Sequence, residues 1–241
     1  MTPKIVHQDS SLLVINKPAG LIVNTADTVK EPTLQDWVDN NFDYQLAHDR
    51  SHRNGIVHRL DKETSGVMIL AKTPKVQKAI QSQFKNRTIT KTYMALVHGR
   101  LSPASGAISL PLSRSQTDRQ SFTVTIGGKM TKTSYQVDKY YLQLQDPKLR
   151  AKSYQGFSLV TLQPKTGRTH QLRVVLKHLG HPIVGDGKYT GKKRARADKL
   201  WCQRQFLHAA SITFTHPADN KTVSYQAPLP LDLTSAIKLL S

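Results

Sequence analysis

His58-Arg59-Leu60-Asp61-Lys62-Glu63-Thr64-Ser65-Gly66 runs directly into the apolar stretch Val67-Met68-Ile69-Leu70-Ala71. This order predicts a strand from Ile56 to Leu60, a tight polar turn, and a second strand over Val67 to Ala71. Asp61 is then expected at a strand end, facing a cleft, where functional side chains concentrate. Arg59 precedes it by two residues and is expected on the same side of the strand. Read alone, the stretch is also compatible with an Asx turn, because Asp, Thr and Ser side chains all bond nearby backbone amides.

Outward from this segment, Lys4 to Asp9 and Leu12 to Asn16 read as two short strands, and Thr33 caps a helix running to Asn40. Residues 41–55 lack periodicity and read as a polar surface loop. Thr73-Pro74 opens a helix that puts Val76, Ala79, Ile80 and Phe84 on one face. Lys91 to Val97 reads as a strand. Residues 113–133 read as a polar hairpin turning at Gly127-Gly128, and 133–141, 156–162, 206–214 and 222–226 as further strands. Leu172, Val175, Leu176 and Leu179 form the stripe of a helix over 169–179, stopped by Gly180 and Pro182. Arg173 lies on the border of that stripe. A last helix is expected from Leu233 to Leu240. Strands outnumber helices in mixed order, which gives an α+β fold on a large, mixed, mainly antiparallel sheet.

The composition narrows the partner. The chain has 241 residues, 38% of them hydrophobic, enough for one domain spanning 1–241 with a substantial core. Lys plus Arg number 35 against 16 Asp plus Glu, a net charge of +19 that points to a polyanion. Nucleic acid fits better than a membrane surface, since no basic amphipathic helix carries a broad aromatic and aliphatic face. Cys202 is the single cysteine, which excludes an intrachain disulfide and a cysteine-based zinc site. The N-terminus has no apolar signal region and no stretch approaches the roughly 20 apolar residues of a membrane span, so a cytoplasmic protein is expected. The densest basic run is Lys192-Lys193-Arg194-Ala195-Arg196-Ala197-Asp198-Lys199, where Lys193 and Arg194 are candidate phosphate contacts or members of a solvated loop.

Further along stand Lys91-Thr92-Tyr93-Met94-Ala95-Leu96-Val97-His98-Gly99 and Thr166-Gly167-Arg168-Thr169-His170-Gln171-Leu172-Arg173. Lys17-Pro18-Ala19-Gly20 precedes the aspartate segment, and His181-Pro182-Ile183-Val184-Gly185-Asp186 follows. In order and spacing these motifs resemble the RluA-type pseudouridine synthases, from about Ile5 to the C-terminus. Two positions depart from that pattern: Val175 stands where many members carry a second histidine after Gln-Leu-Arg, and Asn24 replaces a histidine that often follows the Lys-Pro-Ala-Gly motif.

The resemblance implies the pseudouridine synthase catalytic fold, with residues 113–132 as a protruding arm that grips RNA. The implied reaction breaks the N1 glycosidic bond of uridine, turns the base and rejoins it through C5, with no cofactor and no metal. It needs an ionised carboxylate near the sugar and base, and a carboxylate taken out of water needs a neighbouring cation to stay ionised. Asp61 matches the family's catalytic aspartate, Arg173 the arginine that pairs with it, and Tyr93 the tyrosine beside the base. Tyr93 would stack on uracil or assist removal of the C5 proton; packing is the competing role of a strand tyrosine. Arg59 would fill the gap left by a flipped base or hold a phosphate. Leu207 matches an apolar position under the base.

The implied partner is RNA. Large-subunit ribosomal RNA is expected over tRNA, since 185–207 is more similar to the ribosomal branch, although the small RNA-binding module of that branch is not expected ahead of residue 17. A monomer is expected. A two-carboxylate glycosidase using Asp61 and Glu63 is disfavoured, because residues two apart at a turn cannot flank a bond from both sides. A metal-dependent nuclease lacks a recognised ligand spacing among His48, His52 and His58. A noncatalytic RNA-binding assembly factor with the same fold is the reading from another class.

Overall fold

A computed structural model describes residues 1–241 and contains ten strands and five helices. The chain forms two compact units, Met1–Lys91 with Ala209–Pro228, and Thr92–His208 with Leu229–Ser241.

In the first unit β1 (Lys4–Gln8), β2 (Leu12–Lys17) and β3 (Ser65–Ala71) pair antiparallel in that order. β3 is buried at every position, which is why its sequence is a continuous apolar run rather than an alternating one. β9 (Leu207–Thr215) and β10 (Thr222–Gln226) pair antiparallel over residues 211–226. Two helices belong to this unit. α1 (Leu34–Asn41) starts on a reciprocal cap in which Asp36 N–H donates to the Thr33 hydroxyl and Thr33 N–H donates to the Asp36 carboxylate. α2 (Pro74–Asn86) has Thr73 as cap and proline in its first turn, as its sequence predicts.

In the second unit the strand order is β4 (Thr90–His98), β8 (Phe157–Pro164), β7 (Lys129–Tyr141), β5 (Ser105–Arg114), β6 (Phe122–Val124), with every pairing antiparallel. Helices α3 (Gln171–His178), α4 (Lys192–Asp198) and α5 (Leu231–Lys238) accompany it. The core joins Leu96, Val160 and Leu162 from the strands to Leu172, Val175 and Leu176 from α3. The α+β class and the mainly antiparallel strand set are as expected.

Three local expectations change. No strand forms over 56–60: only Ile56 bridges Leu70, and 57–64 is an irregular loop. The cause is His58, whose Nε2 accepts the Ile69 N–H at 3.0 Å, a place a strand carbonyl would otherwise take. The arm reverses at 115–121, between β5 and β6, and not at Gly127-Gly128. Gly128 instead allows a close approach, since a Cβ there would stand 2.7 Å from the Leu112 backbone. Finally, the basic run, for which a solvated loop was the competing reading, forms the helix α4, with Ala195 and Asp198 turned into the core.

Asp198 explains how so basic a helix stays seated. Its buried carboxylate accepts the Gly185 N–H at 2.9 Å and the Tyr154 hydroxyl at 2.9 Å, and lies 3.0 Å from His98 Nε2. Removing it leaves the buried Gly185 N–H and His98 ring and the half-buried Tyr154 hydroxyl without that partner. Asp198→Ala is therefore expected to destabilise the protein by about 3 kcal/mol, lowering Tm by about 6–12 °C, with a shift under about 2 °C contradicting this role. Scanning calorimetry reads the difference.

Candidate active site

The loop carrying Asp61 is held from beneath by a buried lysine. Lys17, at the end of β2 and fully buried, donates its ammonium protons to the carbonyls of Pro18 at 2.9 Å, Leu21 at 2.8 Å and Lys62 at 3.1 Å. Gly20 N–H donates to the same Lys62 carbonyl at 2.8 Å. A cation this far from water needs such a cage of oxygens. Its effect is to bind the Lys-Pro-Ala-Gly turn to the residue following Asp61. Within the loop the Thr64 N–H donates to the main-chain carbonyl of Asp61 at 3.1 Å, so backbone closes the turn. Asp61 is half-buried, Thr64 and Ser65 are buried, and Arg59 is exposed. Because 57–61 is not a strand, the alternation expected to align Arg59 with Asp61 does not operate; both occupy the loop, with Arg59 toward solvent.

His58 anchors the other end of this loop. Its ring lies 5.0 Å from that of Phe84. Burial, and secondarily the charge of Lys91, pull its pKa down to about 3, although the residue keeps some exposed surface. The neutral ring is the form that accepts the Ile69 N–H.

Arg173 and Tyr93 are placed in the second unit. Tyr93 is half-buried on β4 opposite Leu162 of β8. Arg173, in the first turn of α3, is 8% exposed, so it is not a solvated helix-edge arginine. Its Nε donates to Asp186 Oδ2 at 2.7 Å and its Nη2 to Asp186 Oδ1 at 2.9 Å, a two-point contact that fixes the guanidinium plane. The Tyr189 ring lies under it, 4.9 Å from Cζ. Asp186 is itself fixed, accepting the backbone N–H groups of Lys188 at 3.0 Å and Tyr189 at 3.1 Å.

The segment that carries Asp186 is laid along β4. His98 N–H donates to Pro182 O at 3.0 Å, Val184 N–H to Leu96 O at 2.9 Å, and Phe206 N–H to Val184 O at 2.8 Å. Gly185 is required there, because at φ 74° a Cβ would meet the Arg204 carbonyl at 2.1 Å. Tyr93 and the support of Arg173 thus share one backbone frame. Leu207, at the start of β9, is buried. Lys193 is exposed on α4, whereas Arg194 is half-buried and donates to the Ser153 carbonyl at 3.2 Å. Sequence reading gave no role to Asp186, Tyr189 or Lys17. Lys17 and Asp186 do lie within the quoted motifs Lys17-Pro18-Ala19-Gly20 and His181 to Asp186, which is the signal that could have found them.

Residues 11–178 match the family model described as RNA pseudouridylate synthase. The chain belongs to the RNA pseudouridylate synthase family. It is 36% identical over 236 residues to "Uncharacterized RNA pseudouridine synthase YlyB" of Bacillus subtilis, covering 98% of this chain and 72% of the relative. It is also 36% identical over 251 residues to "Ribosomal large subunit pseudouridine synthase D" of Neisseria meningitidis, covering 100% of this chain and 62% of the relative. The chain thus spans between 62% and 72% of the length of these curated relatives. Among solved structures it is similar to human RNA Pseudouridylate Synthase Domain Containing 1, with a TM-score of 0.74 and 29% identity over 100% of this chain and 88% of that one. The expected family, fold and enzyme class, an RNA uridine isomerase, all stand. No helix is long and apolar enough to cross a membrane.

The depressed His58 pKa has a measurable consequence. A histidine ionising near 6.5 when unfolded and near 3 when folded favours the folded state above pH 6.5 and loses that contribution as pH falls toward 3. The loss is up to about 1.4 kcal/mol per pH unit. His58→Gln keeps an oxygen for the Ile69 N–H but does not titrate. Its urea midpoint is expected to fall less than that of the wild type between neutral and mildly acidic pH; equal falls would contradict the assignment.

Proposed function

We propose that this chain isomerises uridine to pseudouridine in large-subunit ribosomal RNA, with residues 1–241 serving as one catalytic domain and Asp61, Tyr93 and Arg173 as the catalytic residues. The observation that carries the reading is the state of Arg173. A helix arginine withdrawn from water and gripped at two points by Asp186 is suited to present charge in a fixed direction. Its position in the chain is the one at which the resemblance puts the arginine that keeps the catalytic aspartate ionised.

Asp61 supplies the carboxylate. The caged Lys17 ammonium and the Asp61–Thr64 backbone turn restrain its loop, and a preset loop avoids reorganisation when substrate arrives. Tyr93 stacks on the uracil ring, and Leu207 offers the apolar surface beneath it. Arg59, exposed beside Asp61 in sequence, occupies the stack vacated by the flipped base or holds its phosphate, a step that offsets an unstacking cost of a few kcal/mol. Lys193, on the exposed face of α4, contacts phosphate; Arg194 does so with the part of its guanidinium not directed at Ser153.

The choice of RNA rests on relatives from Neisseria, Zymomonas and Nitrosomonas, each named ribosomal large subunit pseudouridine synthase D. A tRNA substrate and a noncatalytic assembly role have no such support. A cytoplasmic monomer is the form in which we expect the enzyme to act.

Pseudouridine mapping on total RNA tests this reading, comparing cells with and without the gene and complementing with wild type or Asp61→Asn. A large-subunit rRNA site lost on deletion and restored by wild type but not by Asp61→Asn is the expected result. Restoration by the variant would reject Asp61 as catalytic, a lost tRNA site would reject the substrate, and no lost site would favour the assembly role.

A further inference from the structure

Tyr189 touches three separate parts of the second unit. Its ring supports the Arg173 guanidinium at 4.9 Å. Its hydroxyl oxygen accepts the backbone N–H of Phe122 at 2.9 Å and shares a hydrogen bond with His170 Nδ1 at 2.7 Å. Phe122 opens β6, a strand within the arm, and its ring meets that of His170 edge-on at 5.8 Å and 76°. His170 precedes α3 directly and holds the left-handed conformation at φ 55°. A phenylalanine would fill the same space under Arg173. The hydroxyl is needed for the links to Phe122 and His170 and for a further hydrogen bond with the Ser121 side chain in the arm's turn. Burial pushes the Tyr189 phenol above its ordinary pKa, so the proton stays on that hydroxyl.

β6 has three residues and lies at the end of the strand order, paired with β5 alone. So short an edge strand has little pairing of its own to hold it. The Tyr189 hydroxyl supplies one outside tie, and Lys188 Nζ, 3.7 Å from Asp118 Oδ2 in the arm's turn, supplies a weaker one. Both ties come from the short segment following Asp186, the partner of Arg173. Arm and arginine are therefore supported by the same few residues.

We propose that Tyr189 is a positioning residue that couples the arm, residues 113–132, to the orientation of Arg173, so that RNA settling on the arm sets the arginine for catalysis. The inference rests on the reading of Arg173 as catalytic. It assigns Tyr189 no contact with the substrate. A tyrosine that served only to grip RNA through the arm would change affinity, whereas one that aims Arg173 changes the rate once RNA is bound.

The test uses the full chain and total RNA, tritiated at uridine C5, from cells lacking the gene; tritium release reports pseudouridine formation. Under single turnover, Tyr189→Phe is expected to lower the rate at saturating enzyme by about tenfold, because small misalignments of a catalytic group act on the bound complex. Its half-saturating concentration should stay within about twofold of wild type, as expected when uniform binding is untouched. Phe122→Pro, which deletes the N–H donor at the first residue of an edge strand, should lower the rate similarly and add nothing to Tyr189→Phe. A wild-type rate at saturation in Tyr189→Phe, a pure affinity loss, or additive effects in the double variant would each overturn the coupling. Arg173→Ala separates the two readings. If it retains the wild-type rate, the catalytic assignment fails and the coupling with it; if it is inactive while Tyr189→Phe is unaffected, only the coupling fails.

Discussion

The two-point contact between Arg173 and Asp186 is the constraint around which the second unit is arranged. Burying this pair gives little net stability, because withdrawing two charges from water offsets most of their attraction. It does fix direction. A guanidinium held at both Nε and Nη2 has one plane and one orientation, with Tyr189 below it. An arginine pointing to solvent would have neither and would have to be ordered again in each catalytic cycle.

The support extends outward in steps. Asp186 is fixed by its own turn, and that turn follows Gly185, which no larger residue could replace beside the Arg204 carbonyl. The Gly185 N–H is bound by Asp198, the buried end of α4. A helix whose exposed face is suited to phosphate is thereby tied through one carboxylate to the backbone that carries Asp186. The same backbone lies against β4, the strand of Tyr93. In the other unit Lys17 has the corresponding role for the Asp61 loop, using a caged ammonium where the second unit uses a carboxylate.

What could be read from the chain followed a physical division. β3, α1, α2 and α3 were legible because burial imposes apolar runs or stripes and because Thr33, Thr73 and Gly180 mark helix ends by local hydrogen bonding and backbone preference. The strand expected over 56–60 was lost to a side chain, since nothing in the pattern of Val57 or Leu60 reveals that His58 will take the Ile69 N–H. The sequence left a solvated loop open for α4 for a related reason. Its one strong anchor, Asp198, pairs with His98 at a sequence separation of 100. Asp61, Tyr93 and Arg173 stood out through their motifs, but Asp186, Tyr189 and Lys17 act through partners that only the fold brings within reach.

Whether catalysis depends on how Arg173 is held is read from the rate of pseudouridine formation at saturating enzyme in Asp186→Asn, a change that keeps side-chain volume and removes the charge opposite Arg173. The arginine should then lose its fixed orientation, and the rate is predicted to fall by about a hundredfold or more while RNA affinity holds. A wild-type rate in a folded Asp186→Asn protein would contradict it, showing that catalysis does not depend on how Arg173 is held.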